Sequence, residues 1–127
     1  MFRAAFLLPL LSFGCADETI SGYADREATY RLTELEGQSF EARATITFPE
    51  EGRAAGEAPC NLWSADQTVP YPWIRLGPIA ATRRACTAMA DEQAFFDALS
   101  RVTLAEVLGG VLILSDDEAV LMVFEAE

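Results

Sequence analysis

Histidine and lysine are both absent from the 127-residue chain. Without histidine, the chain cannot form a Ser-His or Cys-His nucleophile pair or a histidine-ligated metal site. Without lysine, it has neither the lysine of a P-loop nor an amine for Schiff-base chemistry. Nothing else in the sequence selects a catalytic residue, a metal site or a cofactor, so we expect a protein that is not an enzyme.

Positive charge is scarce. All nine basic residues are arginines, against 20 acidic residues, for a net charge of −11. Only Arg3 precedes Cys15, and every acid follows it, so the rest of the chain carries eight basic and 20 acidic residues, a net charge of −12. Such a surface repels phosphate backbones, which argues against nucleic acid as a partner. It favours a cationic protein or peptide instead.

Long apolar runs are also lacking. The N-terminal uncharged stretch, residues 4–13, has about half of the ~20 residues that a membrane-spanning helix needs. It follows Arg3 and leads into Gly14-Cys15, which is the pattern of a signal peptide. We therefore predict a signal peptide over residues 1–15 with a lipobox-like end.

Two processing routes remain open for this segment. Acylation of Cys15 would anchor the protein to a membrane of the bacterial envelope, facing the periplasm, with the outer membrane as the expected location. Cleavage after Ala16 would instead release a soluble periplasmic or secreted protein that begins at Asp17.

Cysteine occurs three times. If Cys15 is acylated or removed, Cys60 and Cys86 remain, and two cysteines in an oxidising compartment favour one disulfide. The alternative is a pair of buried free thiols packed close to each other.

Periodicity and turn residues divide the rest of the chain. Residues 16–27 are polar without a sustained period and predict a flexible tether, followed by a domain over residues 28–127. Strands are predicted over residues 29–35, 40–48, 73–79 and 119–125, and Gly109-Gly110 indicates a hairpin between residues 104–108 and 111–115. A helix is predicted over residues 91–101, with Asp91 as its N-cap.

Four motifs occur in order: "GEAPCNLW", "GPIAATRRAC", a helix containing Glu92, Phe95 and Leu99, and a closing "LMVF". Together they resemble the META domain, the small domain of HslJ-type heat-inducible envelope proteins, over residues 30–126. The resemblance implies an α+β fold in which a curved, partly barrel-like antiparallel sheet packs on one α-helix. It implies no known reaction and brings no catalytic residues with it.

Asn61, Thr82 and Arg83 are the candidate ligand-binding residues. If Cys60 and Cys86 pair, these three side chains come close together, and the arginine could hold an anionic group or a peptide. Alternatively, Asn61 stabilises a turn and Thr82 bonds to the backbone. Trp63, Tyr71 and Trp73 (a possible exposed aromatic ledge) could equally be half-buried core residues.

The sequence thus predicts a non-enzymatic cell-envelope lipoprotein with a structural or stress-related contact role. The alternative is an acidic binding or inhibitor module for a cationic envelope protein, similar to a lysozyme inhibitor.

Overall fold

The structure, a computed structural model, describes residues 16–127. The predicted signal peptide, including Cys15, lies outside the described residues. A 3₁₀ turn at Ile20–Gly22 comes first. The strands and the helix then follow in this order: β1 (Tyr30–Leu35), β2 (Gln38–Ser39), β3 (Thr45–Ile46), β4 (Arg53–Glu57), β5 (Leu62–Asp66), β6 (Ala80–Ala81), α1 (Met89–Arg101), β7 (Leu104–Leu108), β8 (Val111–Ser115) and β9 (Val120–Ala126).

The strands form two antiparallel sheets. The larger has the order β2-β1-β9-β8-β7, with β3 also pairing with β1, and the smaller has the order β4-β5-β6. A bridge between Thr47 and Ala55 links the two sheets where the chain continues past β3. Because β9 pairs with β1, the last strand of the domain is hydrogen-bonded to the first.

One face of helix α1 packs into the core. Phe95, Ala98 and Leu99 are fully buried, and their spacing of three and four residues places them on one stripe of the helix. Phe95 meets the ring of Trp63 edge-on, with ring centroids 5.9 Å apart. The buried helix residues belong to one core cluster with apolar side chains from both sheets. The largest fully buried side chains outside the helix are Tyr30, Phe48, Phe124, Ile20, Leu32, Ile46, Ile74, Leu112, Leu114 and Met122.

The predicted α+β class, with antiparallel sheet packed on one helix, is confirmed. The main sheet is irregular, because its register shifts in β1 between Leu32 and Glu34 and in β8 between Leu114 and Ser115. The sheets formed by residues 16–127 do not close, so the barrel-like part of the prediction is not found.

Two predicted strands were wrong in extent. Within residues 40–48, only Thr45–Ile46 forms a named strand, although Ala44, Ile46 and Phe48 are fully buried as their alternation predicted. Within residues 73–79 there are only isolated bridges, since Pro72 and Pro78 cannot donate to a ladder. A segment can therefore alternate buried and exposed side chains without pairing continuously with a neighbouring strand.

Strands β4 and β5 were not predicted, because the Pro and Gly residues around them are typical of turns. Helix α1 begins two residues earlier than predicted. Its N-cap is Ala88, which makes no side-chain capping bond, and Asp91 lies in the first turn.

The predicted flexible tether is corrected by the structure over most of its length. Ile20 has no exposed surface and Ser21 is 1% exposed. The amide of Tyr71 donates to the carbonyl of Glu18 at 2.7 Å. The segment is polar because its side chains bond to one another and to Gln67 inside the domain. The folded part of the chain therefore begins near Asp17 and not at residue 28.

Candidate functional site

The predicted disulfide is confirmed, since Cys60 and Cys86 are bonded with their Cα atoms 5.6 Å apart. The bond ties the turn before β5 to the segment that leads into α1. Beside it lies an open cleft of about 230 Å³. We call this the disulfide cleft; its lining residues are Glu57, Ala58, Pro59, Cys60, Asn61, Leu62, Thr82 and Arg84.

Asn61 is buried at the base of this cleft, with 7% of its surface exposed. Its amide nitrogen donates to the carbonyl of Arg84 at 3.0 Å and to Oε2 of Glu92 at 2.8 Å. Its amide oxygen accepts from the backbone N–H of Arg84 at 2.6 Å and from Oγ1 of Thr82 at 2.9 Å. All four hydrogen-bonding positions of the side chain are thus used within the domain.

Glu92 is the second buried member of this network, 3% exposed and in the first turn of α1. Its Oε1 accepts from the backbone N–H of Cys60 at 3.0 Å, while Oε2 accepts from Asn61. No arginine in residues 16–127 forms an ion pair with it. Its carboxyl group therefore fastens the cysteine turn to the helix through hydrogen bonds alone.

The structure brings Asn61 and Thr82 together, as the sequence predicted, but they bond to each other and to backbone. Thr82 Oγ1 also accepts from the backbone N–H of Leu62 at 3.1 Å. Arg83 is exposed and does not line the cleft; its neighbour Arg84 does. On the other side Glu57 is held by Arg43 at 2.7 Å. The cleft thus has charged residues of both signs at its edge and a structural amide at its base.

A second buried polar network fixes the start of the domain. Gln67, 1% exposed, donates through Nε2 to Oγ1 of Thr19 at 3.2 Å and to Oγ of Ser21 at 3.4 Å. Both hydroxyls donate in turn to the carboxylate of Asp17, which also pairs with Arg26 at 2.7 Å. Burial opposes ionisation of Asp17, but these hydrogen bonds outweigh it and hold the pKa of the carboxyl below its ordinary value.

Sequence reasoning missed Glu92 as a core residue, and also Arg84 and Gln67. Glu92 could be placed near a helix N-terminus, where an acid is common, so its position gave no sign of burial. Gln67 lies between a strand and a turn-rich segment and has no periodic signal. A buried polar residue is recognisable from sequence only when its partners are known.

The three aromatic residues do not form a common ledge. Trp63 is 3% exposed and donates through its indole N–H to the carbonyl of Thr45 at 3.1 Å. Tyr71 stacks on Tyr23 with ring centroids 4.4 Å apart. Trp73 is 57% exposed. Tyr71 and Trp73 therefore share a surface loop, while Trp63 belongs to the core.

Within residues 16–127, no helix combines the length and apolar character required to cross a bilayer.

Comparison with known proteins places the chain in a family. No curated protein sequence matches it significantly. Among solved structures, an NMR structure of a protein from Burkholderia xenovorans is similar, with 17% identity, a TM-score of 0.62, and coverage of 85% of this chain and 86% of the other. A second NMR structure has 15% identity, a TM-score of 0.62, and coverage of 79% and 89%. At these identities the two structures support the fold alone. The sequence profile of the META domain matches residues 24–127, and the chain therefore belongs to the META domain family.

Proposed function

We propose that this META-family protein is a non-enzymatic lipoprotein of the bacterial cell envelope with a structural or stress-related contact role. The observation that carries the proposal is the disulfide between Cys60 and Cys86. Disulfides persist in exported proteins and are rare where thiols are kept reduced. Cys86 is an exposed residue, so a cytosolic reductant would reach the bond.

The remaining cysteine supports a lipid anchor. Because Cys60 and Cys86 are bonded to each other, Cys15 is the only cysteine of the three outside this disulfide. It follows an apolar run and a glycine, and two or more acyl chains on such a residue hold a protein stably on a membrane.

The geometry of the disulfide cleft supports a contact role. The amide of Asn61 and the hydroxyl of Thr82 bond within the domain, so these two side chains shape the cleft. The charged residues Glu57 and Arg84 at the rim are suited to hold a polar group of a partner.

Intact mass of the protein purified from membranes of its own host tests this proposal. We expect a chain that begins at Cys15, carries acyl chains, and takes up no alkylating reagent unless a reductant is added. The matched control is Cys15→Ala, which should lose the acyl mass and the membrane association while keeping the Cys60–Cys86 disulfide. An unacylated chain beginning at Asp17 would overturn the anchor, and one that keeps Met1 with reactive thiols would overturn export as well.

A second function, an acidic binding module for a cationic protein, is favoured by the surface carboxylates. Of the 20 acidic residues, six pair with arginine, and fourteen have no arginine partner in residues 16–127. Glu92 is buried, so thirteen of these fourteen remain to face a partner. Such an excess attracts a cationic partner and is screened by salt.

Calorimetric titration with lysozyme at low and at high salt tests this second function. We expect binding that weakens steeply as salt rises, and no binding to an acidic protein of similar size. Binding that ignores salt, or no binding at low salt, would contradict it.

A further inference from the structure

The 3₁₀ turn at Ile20–Gly22 lies only a few residues along the chain from the proposed anchor. Asp17, Thr19 and Ser21 are held by Gln67 and Arg26, and Ile20 is fully buried. Only Ala16 separates this fixed segment from Cys15. Two residues of extended chain span at most ~7 Å. If Cys15 is acylated, as the proposed function requires, the anchor would hold the domain directly against the bilayer, so that the surface around Asp17 meets the headgroups.

That surface carries two exposed aromatic side chains, Tyr23 and Trp73, with the half-buried Tyr71 beside them. The backbone of Glu18 bonds to Tyr71, and Tyr71 stacks on Tyr23, which is 55% exposed. Trp73 follows on the same loop, its amide donating to the carbonyl of Pro70 at 2.9 Å. We call Tyr23, Pro70, Tyr71 and Trp73 the aromatic face.

An open apolar groove of about 480 Å³ continues this face. Trp73 lines it with Val69, Pro70, Ile74 and Val102, and Arg75 and Arg101 lie at its margin. Tryptophan and tyrosine prefer the membrane–water interface because their rings are apolar on one side and carry a polar group on the other. Arg101 is already paired with Glu36 and Asp97, so Arg75 is the arginine that can reach lipid phosphate there.

We propose that the aromatic face rests on a zwitterionic phospholipid surface when Cys15 is acylated. The acidic side chains of Glu18, Asp25 and Glu27 lie on the same N-terminal segment, and the net charge of −12 repels an anionic surface. The acyl chains on Cys15 would attach the domain to the bilayer in place of attraction between charges. The aromatic face then sets which side of the domain is turned toward lipid and which side, including the disulfide cleft, faces other molecules.

Tryptophan fluorescence of the acylated protein in phosphatidylcholine vesicles tests the orientation. Trp63 is buried and Trp73 is exposed, so water-soluble acrylamide mainly quenches Trp73 in the free Cys15→Ala protein. In vesicles we expect acrylamide quenching of Trp73 to fall at least threefold, and brominated acyl chains to quench it. The matched control is Leu62→Trp combined with Trp73→Phe. This double variant carries its exposed tryptophan at residue 62, which is 61% exposed as leucine and lies at the end of β5 beside the disulfide cleft. In vesicles this tryptophan should stay accessible to acrylamide.

Each outcome decides a different point. If the protein is acylated but Trp73 is as accessible in vesicles as in the free domain, the orientation is wrong and the anchor stands. If Trp73 is protected from acrylamide without quenching by brominated lipid, a second copy or another protein covers the face, and the lipid occupant is wrong. If intact mass shows no acyl chain, both the anchor and the orientation fall.

Discussion

Replacing Asn61 by alanine should destabilise the domain by about 3 kcal/mol. The substitution removes the donor to Oε2 of Glu92 and leaves that buried oxygen without a protein partner, which costs ~1–3 kcal/mol. It also removes the bonds to the exposed residues Arg84 and Thr82. Water replaces most of these, so each contributes only ~0.5 kcal/mol. The sum is about 3 kcal/mol.

Urea denaturation without reductant, followed by the fluorescence of buried Trp63, measures this loss. With an m-value of ~1.5–2 kcal/mol/M, the midpoint should fall by about 1.5–2 M. Thr82→Ala is the matched control, because it removes one member of the network at an exposed position and should cost less than ~1 kcal/mol. If Asn61→Ala costs no more than Thr82→Ala, the buried network does not stabilise the cysteine turn.

Three further predictions concern the disulfide, the N-terminal segment and the contact between the sheets. Changing Cys60 and Cys86 to serine should lower the free energy of unfolding by about 3.5 kcal/mol, because the bond closes a loop with a separation of 26 residues; an unchanged urea midpoint would contradict this. Asp17→Ala should cost about 2 kcal/mol at pH 7. Because the folded-state pKa of Asp17 lies below its ordinary value of 3.8, its charge stabilises the fold above that pH and the contribution is lost as pH falls through the folded pKa. Thermal unfolding at pH 7 and pH 3 should therefore show a penalty that shrinks at low pH, and a constant penalty would refute the linkage. Gly56→Ala should destabilise by about 2–3 kcal/mol, since a Cβ there would lie 2.1 Å from the carbonyl oxygen of Thr45. Gly110→Ala, whose Cβ would meet only Ala126 at 3.7 Å, should leave the urea midpoint nearly unchanged, and equal effects of the two would contradict the steric argument.

Local patterns predicted the parts of the fold that depend on local interactions. The hairpin of β7 and β8 has the predicted bounds, because Gly109-Gly110 supplies the two-residue link and Gly109 adopts a φ of 59°. The buried stripe of α1 follows from the spacing of Phe95 and Leu99. In both cases the signal lies within a dozen residues of chain.

Long-range pairing explains the errors. The alternation over residues 40–48 predicted the burial of Ala44, Ile46 and Phe48, although Thr45 on the opposite face is buried as well. A ladder also needs a partner in register. The amide of Leu32 bonds to the carbonyl of Ala44, and that of Phe40 bonds to the carbonyl of Thr33. Between these contacts the chain leaves the edge of β1. Strand β9, far along the sequence, pairs with the other edge of β1. The sequence of residues 40–48 carries no signal of that pairing.

The two buried polar networks lie at the two ends of one strand, β5. Asn61 immediately precedes β5 and Gln67 immediately follows it. At one end, Asn61 fastens the segment that carries Cys86 and the helix residue Glu92; at the other, Gln67 fastens the first turn of the chain. Irregular segments bury too little apolar surface to dock by the hydrophobic effect alone, so specific hydrogen bonds decide where they lie. Strand β5 thus positions both the disulfide cleft and the point where the proposed anchor meets the domain. A substitution that loosens β5, such as Trp63→Ala, should therefore disturb both ends together, whereas Asn61→Ala should leave the N-terminal network intact.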